Sequence, residues 1–372
     1  MTNENSGLML VGIGSGGCRL AAAACRRYGA GIAAIGFDTD EDVIRGIADM
    51  PCRLIGSARL NKHGAGGVHA SGRHAAHDDL PGMLEELRAA RIVVIVACLG
   101  GGTGGGATPV ILEALKAQNK TTLCFVTMPF LFEGSSRRQT ADRDLPYIEA
   151  VADTLVEVEL DDLYRPLGAH LLSDATTQAE AIMADGLCLL WRLLQTPGFV
   201  RLDLDRVLNM LMRAGKARFG HVVVTGETRA ASAVNVLAGS PLLHQSKALG
   251  TARALMLGIL AGPDLRFDEI STLMNGLKEV CRKDVQIEMG VVTDPGFCGR
   301  IALVALAFET WVPIDQRMRS ACPDSEDLAR LKNATPEDKL RFGKGMFGNV
   351  PKTFGRGEDL DIPTYQRKLI RL

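Results

Sequence analysis

A run of glycines at the end of a long apolar segment constrains this chain more than any other feature. The segment 92–98 (IVVIVAC) is followed at 100–109 by GGGTGGGATP, where a helical pattern begins. Each glycine costs roughly 1 kcal/mol relative to alanine, because glycine loses the most conformational freedom on folding. Successive backbone amides without side chains can surround an anion, as they do in phosphate-binding nests. The run therefore predicts a polyphosphate site at the end of a buried strand.

Short apolar segments elsewhere indicate the rest of the fold. They lack strict alternation, are separated by helical patterns, and lie at 8–13, 32–37 and 121–127. Such strands predict a parallel sheet covered by helices on both faces. A second group of strands, without a glycine-rich loop, is predicted near 221–225, 252–260, 285–292 and 300–308. The predicted fold class is therefore α/β, with a Rossmann-like parallel-sheet domain and a smaller α/β domain.

A long helical pattern at 174–195 lies between the two groups of strands. Thr177 and Glu180 have the spacing of a capping box, which marks the start of a helix. After Thr310 the sequence becomes charged and rich in glycine and proline. We therefore expect a first domain, a central helix that joins it to a second domain, and a tail, at 1–172, 173–196, 197–312 and 313–372.

Two smaller glycine clusters accompany the long run. GIGSGG at 12–17 follows the first strand, and Asp38 ends the second strand. This is the dinucleotide fingerprint, in which phosphates lie against amides at a helix N-terminus. GAGG at 64–67 can add amides to the same site. An NAD-type site needs only the first loop, so two phosphate loops after separate strands favour a nucleoside triphosphate over the alternative, an NAD(P)-dependent oxidoreductase.

Composition and charge narrow the class of protein. With 42 basic and 43 acidic residues the net charge is −1, which argues against a dedicated nucleic-acid binder. The nine cysteines form no CxxC pair, which is typical of a reducing compartment, and no signal-peptide pattern is visible, so we expect a cytoplasmic protein. His69, His74, His77 and Asp78 have helical spacing that suits a metal, but a solvated helix face explains them, and we predict no metal site.

Taken together, these segments resemble the tubulin/FtsZ superfamily, on its FtsZ side. GGGTGGGATP is similar to the signature loop, which usually has GGGTGTG followed by small residues and proline. FDTD at 37–40 resembles the NTD turn, and GAGG resembles the loop that meets the γ-phosphate. PFLFEGSSR at 129–137 matches the PFxFEGxxR segment, whose Glu and Arg contact the sugar and phosphates of the nucleotide. SPLL at 240–243 and LDIPT at 360–364 match as well.

The resemblance implies a GTP-binding protein that assembles head to tail into filaments. Any Mg²⁺ would come with the phosphates of the GTP or GDP. The residues that the resemblance assigns to the nucleotide are Gly14, Ser15, Gly16, Gly17, Asp38, Asp40, Ala65, Gly66, Gly67, Gly101, Gly102, Thr103, Gly104, Gly105, Glu133, Arg137 and Glu180.

The loop that supplies catalytic acids departs from the family pattern. In FtsZ this loop acts on the nucleotide of the next subunit and commonly has NxDxxD after a Pro-Gly pair. Asp203 keeps the first acid and is a candidate catalytic residue, as is Asp205 if the alignment slips by one. Arg201 and Arg206 stand where the family has Asn and the second Asp. A guanidinium cannot accept a proton from water, so we expect weak or lost GTPase activity, although arginine can stabilise phosphate charge.

The base pocket and the first loop also differ from the family. Thr176 and Glu180 stand where FtsZ usually has Phe and Asp, so the stacking ring is missing. Glu180 can accept hydrogen bonds from guanine, or it can be the second half of the capping box. In the first loop Cys18 and Arg19 replace the usual Gly and Asn, and Arg19 beside the phosphates can strengthen charge neutralisation. The preference for guanine over adenine therefore follows from the resemblance alone.

The expected function is that of an accessory or divergent FtsZ paralogue with weak GTPase activity. A nucleotide-binding scaffold that does not hydrolyse GTP, or one that co-assembles with a true FtsZ, is the alternative. The terminal peptide 359–368 resembles the FtsZ segment that docks onto membrane-tethering partners, and a solubilising tail is the other interpretation. Basic and apolar residues at 367–372 allow at most a weak direct contact with a membrane.

Overall fold

The computed structural model describes residues 7–29, 31–60, 62–164, 172–196, 198–200, 202–212, 214–243, 247–311, 354–355 and 358–359. Within residues 7–311, ten strands form one sheet. These strands are β1 Leu8–Ile13, β2 Ala34–Asp38, β3 Cys52–Leu54, β4 Ile92–Cys98, β5 Thr121–Met128, β6 Thr154–Glu159, β7 Gly215–Thr225, β8 Ala254–Ala261, β9 Gln286–Thr293 and β10 Arg300–Phe308.

Helices connect most of these strands. In the described part of the chain they are α1 Gly14–Tyr28, α2 Glu41–Arg45, α3 Ser57–Leu60, α4 His69–Glu86, α5 Gly102–Ala117, α6 Ser135–Val151, α7 Leu160–Tyr164, α8 Leu172–Gln195, α9 Leu204–Leu211, α10 Arg229–Ala238, α11 Lys247–Thr251 and α12 Phe267–Val280. Of these described helices, none combines the length and the apolar character needed to span a membrane.

The strand order is β3-β2-β1-β4-β5-β6-β7-β10-β8-β9. Pairing is parallel from β3 through β7, and also between β8 and β9. Strand β10 runs antiparallel to both of its neighbours, β7 and β8. The sheet confirms the predicted α/β class. It also continues from β6 to β7, where Thr154 is in register with Gly215.

Helices cover both faces of the sheet, as continuous apolar strands require. On one face α1 and α8 pack over residues such as Leu10 and Val94. On the other face α4, α5 and α6 pack over Val11 and Ile95. A third apolar cluster joins α10 and α12 to β8 and β10. Because β4 is buried on both faces, its carboxyl end is held firmly where the glycine run begins.

The tail residues 312–372 form a separate unit. Its described part is a short antiparallel pair, β11 Phe354–Gly355 with β12 Glu358–Asp359. Except for Asp359, the terminal peptide 359–368 lies outside the described residues, as do Arg201 and the side chain of Thr176.

Candidate functional site

Three glycine loops meet at one edge of the sheet and enclose a cavity of about 400 Å³. Two of the loops directly follow β1 and β4, and the loop 64–67 follows β3 and α3. The carboxyl ends of these strands share that edge because the strands are parallel, and this is where open α/β sheets bind ligands. The predicted residues that line the cavity are Gly14, Ser15, Gly16, Asp38, Asp40, Ala65, Gly66, Gly67, Gly101, Gly102, Thr103, Gly104, Glu133 and Arg137.

Helix α1 begins at the cavity without a side-chain cap. Ile13 is the N-cap residue and makes no side-chain hydrogen bond, so the first amides of the helix stay available. Gly14 has a φ of 72°, a left-handed conformation that favours glycine. A Cβ atom on Gly12 would lie 2.7 Å from the Cα of Cys18, so the turn must also be glycine to close. The uncapped amides and the helix dipole make this end suitable for an anion.

Helix α5 opens onto the same cavity in the same way. It begins at Gly102, with Gly101 as an N-cap that makes no side-chain hydrogen bond. The helix therefore includes most of the glycine run, which the sequence analysis treated as a loop. A Cβ on Gly104 would lie 2.3 Å from the carbonyl oxygen of Cys98. Part of the run is therefore glycine because α5 packs closely on β4, and its first turn faces the cavity.

Two predicted glycines, Gly17 and Gly105, do not line the cavity. A Cβ on Gly17 would lie 2.2 Å from the carbonyl oxygen of Val96, so Gly17 packs α1 onto β4. A Cβ on Gly105 would lie 1.9 Å from Oδ2 of Asp144 on α6. Both positions place a helix against a neighbouring element and do not face the cavity.

Asp38 organises the first loop from a buried position. Ser15 Oγ donates to its Oδ2 at 2.8 Å, and the Thr39 amide donates to its Oδ1 at 2.7 Å. Burial raises the pKa of Asp38, while these two hydrogen bonds oppose the shift. Asp40 instead caps α2, accepting from the Asp42 amide at 3.0 Å. Both carboxylates therefore already have donors from the protein.

The third loop, 64–67, also lines the cavity. Gly64, Gly66 and Gly67 all have positive φ, and a Cβ on either of the last two would meet no atom of the described residues within 4 Å. Their conformation requires glycine, while their surroundings are open. The Gly64 amide donates to the Thr39 carbonyl at 3.1 Å, which ties this loop to the end of β2. Thr39 Oγ1 also lies 2.7 Å from Thr103 Oγ1, so the loops after β2 and β4 are linked directly.

Glu133 and Arg137 form an ion pair at the cavity rim. Glu133 also accepts from the Phe130 amide at 3.1 Å, and this bond fixes the short 3₁₀ turn Leu131–Glu133. The Arg137 side chain is 59% exposed, so its guanidinium can turn toward an anion in the cavity.

A second cavity of about 300 Å³ adjoins the first and contains Glu180 of α8. Gly16, Arg19, Cys98, Thr127 and Leu160 line both cavities. The capping-box interpretation of Thr177 and Glu180 is wrong, because α8 begins at Leu172, more than a turn earlier. Arg19, which the sequence indicated as a residue that can neutralise phosphate charge, lines both cavities. Thr127 was not predicted, although its place at the carboxyl end of β5 is a usable signal.

Asp203 and Asp205 lie at the opposite edge of the sheet. Asp205 Oδ1 is 2.7 Å from Arg91 Nη2, and Arg91 directly precedes β4. Asp203 is the exposed N-cap residue of α9, and its side chain makes no capping hydrogen bond. The cavity follows the other end of β4, about 20 Å away at roughly 3.3 Å per residue. Within one subunit these acids do not reach the cavity.

Comparisons with known proteins agree with this arrangement. Residues 8–167 match the family profile described as "Tubulin/FtsZ family, GTPase domain", and residues 215–309 match "FtsZ family, C-terminal domain". Cell division protein FtsZ of Buchnera aphidicola subsp. Schizaphis graminum is 28% identical, over 98% of this chain and 97% of its own length. Cell division protein FtsZ of Pseudomonas aeruginosa is 30% identical, over 77% of this chain and 73% of its own length.

Solved structures share the fold. An empty FtsZ dimer of M. jannaschii has a TM-score of 0.75 at 24% identity, covering 81% of this chain and 87% of that chain. CetZ2 from Haloferax volcanii, solved as a GTPγS-bound protofilament, has a TM-score of 0.66 at 21% identity, covering 87% of this chain and 99% of that chain. With both family profiles matched and a relative at 30% identity, the chain belongs to the tubulin/FtsZ family.

Proposed function

We propose that this chain binds GTP or GDP in the cavity between its three glycine loops. The observation that carries the proposal is that the uncapped N-termini of α1 and α5 open into one cavity of about 400 Å³. A row of phosphates between these termini is stabilised by the free amides and by both helix dipoles. The matched profile is described as a GTPase domain, and the related CetZ2 structure contains GTPγS, which supports guanine nucleotides as the ligands.

The base belongs in the adjoining cavity under this proposal. Glu180 offers carboxylate oxygens there, which can accept from N1 and N2 of guanine. Mg²⁺ would be bound mainly through the phosphates, because Asp38 and Asp40 already accept protein hydrogen bonds and the described residues contain no cluster of three metal-binding groups. The oxidoreductase alternative is disfavoured, because the Asp38 carboxylate is occupied by Ser15 and Thr39.

Head-to-tail association follows from the position of the catalytic loop. Asp203 and Asp205 lie at the edge opposite the cavity, so only a second subunit can bring them to the nucleotide. Exposed apolar side chains occur beside the cavity and also near the two acids. Leu131 and Phe132, beside the cavity, are 71% and 56% exposed, and Phe199, near the acids, is 86% exposed. We propose that these surfaces meet in a filament, a heterologous contact that does not close. The related FtsZ dimer and CetZ2 protofilament support this interpretation.

Hydrolysis in such a filament would be weak. Asp203 is the candidate acid that remains available to a neighbouring subunit, because Arg91 holds Asp205. Arg206 lies 3.3 Å from Glu288 of its own subunit. With arginines where the family has Asn and Asp, we propose an accessory or divergent FtsZ in the cytoplasm, whose filaments depend more on bound nucleotide than on turnover. Co-assembly with a true FtsZ, and docking of 359–368 on a membrane-tethering partner, belong to the same proposal.

Sedimentation and phosphate release test this proposal together. The purified chain is expected to pellet with GTP and to release phosphate slowly, while Arg201→Asn with Arg206→Asp raises release at least tenfold. Phe199→Ser is expected to reduce pelleting, and Val236→Ser, an exposed apolar residue on α10, is the matched control. Equal pelleting with and without nucleotide would favour the scaffold alternative. Fast phosphate release by the unaltered chain would overturn the argument from the altered loop.

A further inference from the structure

Gly105 marks a place where this chain differs from its family. The signature loop usually has threonine at this position, and here glycine leaves space for the side chain of Asp144 on α6. A Cβ on Gly105 would lie 1.9 Å from Asp144 Oδ2 and 3.2 Å from Asp144 Cβ. A side chain at position 105 would therefore force the Asp144 carboxylate to move from this place.

The Asp144 carboxylate is fully buried and makes few contacts. His69 Nδ1 lies 2.9 Å from its Oδ1, a close charge contact without hydrogen-bond geometry, and Arg143 Nε donates to the same atom at 3.2 Å. Oδ2 has no hydrogen-bond donor among the residues that the structure describes. A buried carboxylate is costly unless nearby positive charge offsets the lost hydration. The positive ends of the α4 and α5 dipoles contribute here, because His69 is the first residue of α4 and Gly105 lies in the first turn of α5.

These contacts join two of the cavity loops from behind. His69 directly follows the loop 64–68, and Gly105 belongs to the turn that begins at Gly102. The loops are already packed closely, since a Cβ on Gly102 would lie 2.8 Å from the Val68 amide nitrogen. The carboxylate thus sits where movement of loop 64–68 away from α5 would separate it from His69.

We propose that Asp144 is a positioning residue that holds loop 64–68 against the first turn of α5 through His69. The role in nucleotide binding rests on the proposed function, whereas the mechanical role does not. Because the resemblance assigns loop 64–67 to the γ-phosphate, the tie favours GTP over GDP. Gly105 leaves the space that the Asp144 carboxylate occupies, since any larger residue displaces the carboxylate.

Hydrogen exchange tests the mechanical role without nucleotide. The amides to follow are those of Gly64, Val68 and Ser71, which donate to the carbonyls of Thr39, Ala65 and Val68. Asp144→Asn and His69→Asn are each expected to speed exchange there by about tenfold, and the double variant no further. Asp142→Asn is the matched control, because this exposed carboxylate on the same helix pairs with Arg138. Exchange at the control level, or single effects that add in the double variant, would overturn the proposal.

A double-mutant comparison of Gly105 and Asp144 keeps the proposal testable if one of the single variants fails to fold. Gly105→Ala is expected to lower the unfolding midpoint in the unaltered chain but to cost nothing further in Asp144→Gly, which removes the clashing atoms. Equal losses in both backgrounds would count against the pair. In the nucleotide arm, Asp144→Asn is expected to weaken binding of fluorescent GTP at least fivefold more than that of fluorescent GDP. If the unaltered chain binds neither, the proposed function fails while the exchange data still decide this inference.

Discussion

Arg91 and Asp205 form an ion pair, with 2.7 Å between Nη2 and Oδ1, at the edge of the sheet opposite the glycine cavity. The two residues are 114 positions apart in the sequence, and the pair joins the start of β4 to the start of α9. It identifies Asp205 as an acid already engaged within its own subunit. Asp203, two residues earlier, is the exposed N-cap residue of α9, and its side chain makes no capping hydrogen bond.

We therefore expect the two acids to differ in their effect on turnover. Asp203→Asn should lower the residual phosphate release about a hundredfold, which is the usual scale for losing a positioned proton acceptor. Asp205→Asn should lower it less than about threefold, because Arg91 already occupies that carboxylate. Steady-state phosphate release at saturating GTP measures both. A larger loss in the Asp205 variant would show that the assignment of roles is wrong.

Within the glycine run, some glycines are required for helix packing and others for ligand binding. Gly104→Ala should lower the free energy of unfolding by more than about 2 kcal/mol, because its Cβ would lie 2.3 Å from a backbone oxygen of β4. Gly101→Ala should leave stability nearly unchanged, since a Cβ there meets no atom within 4 Å in the described part of the chain, but it should weaken nucleotide binding. Chemical denaturation and nucleotide titration of both variants check this. Equal stability losses would contradict the division.

The loss of folding stability at acid pH should depend on His221. Burial lowers the pKa of His221 to about 4, so the folded protein holds this ring neutral while the unfolded chain protonates it near 6.5. Its stabilising contribution is complete above pH 6.5 and is lost as the pH falls toward 4, by about 3 kcal/mol. Denaturation of the unaltered chain and of His221→Gln across this range measures the difference. Parallel profiles would refute the prediction.

A buried ion pair holds α10 to α12. Arg229 Nε lies 2.8 Å from Glu269 Oε1, and their side chains are 7% and 9% exposed. Glu269→Ala should destabilise the chain by about 3 kcal/mol, because it leaves a buried guanidinium with only part of its partners. Asp268→Ala is the neighbouring control and should destabilise the chain far less, since that carboxylate is exposed. Thermal unfolding of the two variants shows whether loss of the buried Glu269 carboxylate destabilises the chain more than loss of the exposed Asp268 carboxylate.

The sequence indicated which glycine loops lie together, because the signals for those loops are local. The glycine loops after β1 and β4 come directly after apolar strands, and parallel pairing then brings them together. Strand β6 was not predicted, because Glu157 and Glu159 interrupt its apolar pattern. The long helix was predicted at 174–195 and α8 spans Leu172–Gln195, but Thr177 and Glu180 have the spacing of a cap while lying inside the helix.

Contacts between distant segments could not be predicted in this way. Nothing near Gly105 in the sequence indicates that Asp144 fills the space beside it, and the two meet only because α5 and α6 pack together. The same is true of Arg91 and Asp205. The packing role of Gly104 was likewise hidden, because a glycine that contacts a strand and one that faces a ligand are identical in sequence.

Direct titration tests the central claim that the three-loop cavity binds a guanine nucleotide. We predict saturable binding of GTP and GDP, no detectable binding of NADH, and at least tenfold weaker GTP binding in Arg137→Ala, with Arg138→Ala as the control that pairs with Glu159 away from the cavity lining. Binding of NADH but not of GTP, or GTP binding unchanged in Arg137→Ala, would contradict the account.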